Sequence, residues 1–91
     1  MRMFKNYLLD KKCFTPQTLY LPTCTDIVAI RDTDNGLMLL ATITPSTTTT
    51  ELRTFKICAN DESIYADAIK YVGSFDTSIG TRHVVEIIRG E

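Results

Sequence analysis

With one histidine, three cysteines and four glycines among 91 residues, the sequence is short of the groups that most chemistry needs. Acyl transfer requires a nucleophile, a base and an orienting group in contact, and His83 is the only imidazole able to serve. Cys13, Cys24 and Cys58 include no Cys-x-x-Cys step, so a zinc site would need all three to converge with His83 from distant segments. An odd number of cysteines without close pairs suits a reducing cytoplasm better than a disulfide-stapled secreted domain. Gly36, Gly73, Gly80 and Gly90 are scattered, and neither a phosphate loop nor a dinucleotide fingerprint is present. No apolar run reaches the length of a signal-peptide core or a membrane span. Cations are not in excess either: a net charge of −1 argues against binding duplex nucleic acid by phosphate neutralisation. The expectation is one domain over residues 1–91, with no cofactor, no metal and no membrane partner.

What the chain has in abundance is β-branched residues. Thr, Ile and Val make up 27 of the 91 positions, and their stiff χ1 angles suit a pleated, half-buried surface. Period-two reading places strands near 3–8 and 17–21, the second bracketed by Pro16 and Pro22, which cannot donate to a ladder. Asp26–Arg31 and Leu37–Ile43 flank Asp34-Asn35-Gly36, whose Asn-Gly step predicts a tight hairpin with positive φ. Both of these strands are nearly all apolar, so they are expected to lie centrally and be covered on both faces. The polar tract 45–50 reads as a loop leading to a strand at 52–58. Asn60 as N-cap, acids at Asp61 and Glu62, and Ile64, Tyr65, Ala68 and Ile69 at helical spacing predict one short helix near residues 61–69. Strands near 70–75 and 82–88 complete the chain. The fold class is therefore mainly β with a minor helical part: a small antiparallel sandwich or open barrel of about seven strands. A domain of this size has a thin core, so self-association is expected.

Charge is uneven. Arg2, Lys5, Lys11 and Lys12 against Asp10 give residues 1–12 a sum of +3, which reads as a solvated edge strand rather than an RNA or phosphate patch. Arg53 shares strand parity with Phe55 and Ile57 and so falls on the apolar face, where a snorkelling stem explains it. Backbone N–H groups of Glu62 and Ser63 at the helix start would be the best anion site, although Asp61 and Glu62 favour self-capping. Asp32 with Asp34 reads as a pair of turn residues. Phe4, Tyr7, Tyr20, Tyr65, Tyr71 and Phe75 lie among Lys5, Arg53, Arg82 and His83, and rings beside cations can stack a base while holding phosphate. For a nucleotide ligand the candidate binding residues are Arg53, Tyr71, Arg82 and His83, the cations taking phosphate and the ring stacking on the base.

The order of short motifs also carries a resemblance. Phe4-Lys5-Asn6-Tyr7, Gln17-Thr18-Leu19-Tyr20-Leu21-Pro22, Asp26–Ile30, Leu39–Ile43, Glu51–Ile57, Tyr71-Val72-Gly73-Ser74-Phe75 and His83-Val84-Val85-Glu86 resemble a family of short uncharacterised phage and prophage proteins. Its members open with a Lys-Tyr-Pro-like strand and continue with Thr-Ile-x-Leu-Pro, then Tyr-Ile-Gly-Thr and a His-x-x-Glu strand. The chain departs from them at Leu40, where the family has Trp, and at Ala59-Asn60-Asp61, where it has a Gly-Thr-Gly-like loop. The resemblance implies a phage origin and action in the host bacterial cytoplasm, but no activity. The leading expectation is a non-enzymatic, self-associating module that neutralises a host defence protein or a nucleotide-derived messenger. A structural component of the phage particle is the second reading. A small nucleotide hydrolase with His83 as base and Glu86 as partner is the third.

Overall fold

Alternation of apolar and polar side chains yields seven strands in a computed structural model that describes residues 1–89. They are β1 (Met3–Leu9), β2 (Gln17–Pro22), β3 (Asp26–Thr33), β4 (Gly36–Ile43), β5 (Thr50–Ala59), β6 (Ala68–Thr77) and β7 (Gly80–Arg89). Gly90 lies outside the described residues. Two sheets form, in the orders β1-β4-β3 and β2-β5-β7-β6, and every pairing is antiparallel. Each keeps two edges, so the fold is the sandwich rather than the barrel. The lysine-bearing β1 is indeed an edge strand.

Residues of one parity from each strand meet between the sheets. Leu9, Leu37 and Leu39 come from the first sheet and Leu21, Phe55, Ile57, Phe75 and Val84 from the second, forming one buried cluster. The two sheets approach closely at Gly73 of β6, where an added Cβ would lie 2.9 Å from Ile30 Cγ1 of β3. Only a residue without a side chain lets these two strands pack so tightly.

Three expectations require correction. First, no helix forms near 61–69. Ala68 and Ile69 instead belong to β6, paired with Arg89 and Ile87. Asp61 adopts a positive φ of 65°, and Asn60 spends its side chain on His83 rather than capping a helix. A helix this short gains few hydrogen bonds over its nucleation cost, and Tyr65, 78% exposed, would have buried little. The anion site imagined at its start is therefore absent as well. Second, the β3–β4 hairpin forms as expected, with Asp34-Asn35 as its turn, but of the Asn-Gly step only Gly36, at φ 146° and opening β4, has positive φ. The β6–β7 turn repeats the arrangement: Thr33 Oγ1 donates to Gly36 O and Thr77 Oγ1 to Gly80 O, both at 2.7 Å. Third, β4 is central, but β3 is an edge strand, and among the described residues no element covers the outer face of their sheet.

Glu62, expected to cap the helix, instead closes the turn after β5. Its carboxylate accepts from Lys56 Nζ at 2.5 Å and from Ala59 N at 3.2 Å. The Lys56 hydrogen bond, then that of Ala59, hold the carboxyl below its ordinary value. A carboxyl held low in the folded state stabilises fully above the ordinary glutamate range, and that contribution fades as pH falls through the lowered value. Urea titrations should therefore show Glu62→Gln less stable than the parent at pH 7, with the difference closing in strong acid. A difference independent of pH would mean that the charge contributes nothing.

Candidate functional site

The four residues proposed to bind a nucleotide do not come together. Arg53 and Glu86 face the space between the sheets, and their ion pair is two-pronged. Arg53 Nε donates to Glu86 Oε2 at 2.6 Å and Nη2 to Oε1 at 2.7 Å, while Nη1 donates to the Thr25 carbonyl. The side chains are only 14% and 6% exposed. Arg53 is thus not a snorkelling cation but half of a buried pair, and its guanidinium pKa is raised, chiefly by the hydrogen bond to Glu86. A groove of about 820 Å³ runs past the pair, bordered by Glu51, Leu52, Tyr65 and Lys70. The charge of Arg53 is already spent inside it.

Tyr71 and His83 lie on the opposite, outer face of the second sheet. Antiparallel pairing of β6 with β7 sets their rings 5.8 Å apart. Tyr71 Oη is 3.0 Å from His83 Nδ1, and His83 Nε2 is 2.6 Å from Asn60 Oδ1. The tautomer that satisfies both contacts carries its proton on Nε2, donating to Asn60, while the Tyr71 hydroxyl donates to Nδ1. Both imidazole nitrogens are occupied. Glu86 is three residues along β7 and on the other face, so the His83–Glu86 dyad of the hydrolase reading does not form. Cys58 is the cross-strand neighbour of His83, but it is buried, and burial pushes its thiol pKa up. A thiol kept protonated is a poor nucleophile.

Arg82 alone among the four borders an open, unsatisfied recess. It sits near the start of β7 with its guanidinium 5.8 Å from the centre of the Phe14 ring, which the β1–β2 loop brings across the end of the sandwich. Lys11, Lys12, Asp32, Asp76 and Ile79 complete a cavity of about 510 Å³, within the range of small-ligand sites. Lys11 is committed, donating to Asp32 Oδ1 at 2.9 Å and to the Thr33 carbonyl at 2.6 Å. Asp76 accepts from Thr81 Oγ1 at 2.9 Å, and among the described residues Arg82 donates only to the Thr81 carbonyl at 3.2 Å. Among the described residues, the Lys12 ammonium has no partner. Two cations with free donors therefore flank an exposed ring. The Lys11-Lys12-x-Phe14 run could have signalled this site; only the β1–β2 loop path, which spacing does not reveal, brings it to Arg82.

Among the described residues no cluster of three or more His, Cys, Asp or Glu is placed to hold a metal ion, and no helix is long and apolar enough to cross a membrane. Compared with protein-family models, curated proteins and solved structures, the chain matches none.

Proposed function

We propose that this protein is a non-catalytic binding module that holds a nucleotide-derived messenger in the recess between the β1–β2 loop and the β6–β7 turn. The observation that carries this reading is Arg82 set against Phe14 with the unpartnered Lys12 beside them. An aromatic face takes a base regardless of its identity, and paired cations take phosphate. Asp76 offers an acceptor for a ribose hydroxyl or a base amino group. In the phage setting that the motifs imply, the protein acts in the host cytoplasm, and withholding such a messenger intact is a counter-defence activity.

Titration calorimetry with cyclic mononucleotides, cyclic dinucleotides and linear nucleoside diphosphates tests this. One of these classes should bind and be recovered chemically unchanged. Lys12→Ala and Arg82→Ala should each weaken it by about tenfold or more, the usual loss when a hydrogen bond to a charged group is removed. Tyr71→Phe, on the outer face of the second sheet and away from the recess, should bind as the parent does. Failure of every class to bind would overturn the proposal in favour of a protein partner or a role in the particle. Conversion of the nucleotide would overturn it in favour of a hydrolase.

A further inference from the structure

We infer that the outer face of the three-stranded sheet is built to receive a second copy of this chain, related by a two-fold axis that crosses the strands. Cross-strand register arranges the face in three rows: Phe4–Thr42–Asp26, Asn6–Leu40–Ala29 and Leu8–Met38–Arg31. A two-fold axis lying in the interface along the middle row keeps each strand over its own counterpart and reverses its direction. Phe4 then meets Leu8 of the second copy, Leu40 meets Leu40, and Asp26 meets Arg31. The rows are complementary to themselves under this one operation, as an isologous contact requires. An axis parallel to the strands along β4 would instead set Arg31 against Leu8 and Asp26 against Phe4, leaving both charges without a counter-charge.

Three further observations point to the same occupant. The strand β4 is apolar on both sides, with Leu37, Leu39, Ala41 and Ile43 inward and Met38 and Leu40 outward. Strands that read this way are normally covered on both faces, and the described residues supply no second cover. Phe4, Leu8 and Val28, the last at the β3 bulge, are 67%, 50% and 54% exposed and extend the apolar surface to the rim. The charges fit as well. Among the described residues Arg31 has no ion pair, while Asp26 engages Arg2 through Oδ2 at 3.2 Å and keeps Oδ1 free. No residue of this face borders the ligand recess, so the two proposals stand or fall separately.

Sedimentation equilibrium of the full chain over micromolar to submillimolar concentrations tests the assignment. The parent should approach twice the 10.3 kDa chain mass. Leu40→Lys, which places two ammonium groups on the axis, should weaken association by roughly a hundredfold or more. Arg31→Ala and Asp26→Ala, both exposed and harmless to the core, should each weaken it, and the double variant should be no weaker than the weaker single. A parent that sediments as a monomer throughout would overturn the inference, and so would a dimer indifferent to Leu40→Lys. Additive losses from Arg31 and Asp26 would overturn the axis.

Discussion

Replacing Glu86 with alanine is expected to lower the unfolding free energy by about 3–5 kcal/mol, because it leaves the Arg53 guanidinium buried without its counter-charge. Glu86 fills two of the guanidinium's donors, and the third known acceptor, the Thr25 carbonyl, is neutral. A domain of this kind is stable by only about 5–15 kcal/mol, so the variant should lose about a fifth of its margin at the least. Urea denaturation followed by circular dichroism measures it. Replacing both partners, Arg53→Met with Glu86→Leu, should restore most of the loss, since the desolvation cost then disappears along with the attraction. If Glu86→Ala costs under about 1 kcal/mol, the pair behaves like a solvent-screened surface bridge and its burial has been overestimated. Its place inside the sandwich also explains why Arg53 is a poor candidate for phosphate. An incoming anion would have to displace a carboxylate already held by two short hydrogen bonds.

The parity of Arg53 with Phe55 and Ile57 was legible in the sequence, but its partner was not. Glu86 lies 33 residues downstream, and β5 reaches it only because β7, not β6, is its neighbour. Strand order in a sheet is set by contacts distant in sequence, and alternation of side chains carries no record of it. Strand existence is different: each strand declares itself in its own period-two pattern, and all seven are found close to the expected bounds. The segment containing Ile64, Tyr65, Ala68 and Ile69 fits a helical period as well as an extended one over so few residues. Pairing with β7 decided for strand at Ala68 and Ile69. The two-sided apolar character of β4 was read correctly, but β3, expected to be central beside it, is an edge strand, and no element among the described residues covers the outer face of their sheet. Of the candidate recess, sequence singled out only Arg82; Lys11 and Lys12 were read as a solvated edge and Phe14 was not picked out, because only the β1–β2 loop path brings them to Arg82.

The two hairpins allow conformational strain to be separated from steric contact. Gly36 and Gly80 both open a strand after a two-residue turn, at φ 146° and 127°, values that L side chains rarely adopt. Alanine at either position should therefore cost about 1–3 kcal/mol for backbone conformation alone. Their surroundings differ. A Cβ at Gly36 would lie 2.9 Å from the Leu9 carbonyl oxygen and 3.3 Å from Leu8 Cδ2, whereas one at Gly80 would meet only Arg82 Nη1 at 3.6 Å. The Leu9 carbonyl cannot swing aside, because Leu9 is the last residue of β1 and is paired with Leu37. Overpacking of this kind adds roughly 1–3 kcal/mol. Gly36→Ala should accordingly be the more damaging of the two by about that amount in chemical denaturation, with Gly80→Ala reporting the conformational part alone. Equal losses at the two glycines would mean that the approach of Leu9 relaxes freely, and that β1 is held on its sheet less firmly than its register with β4 implies.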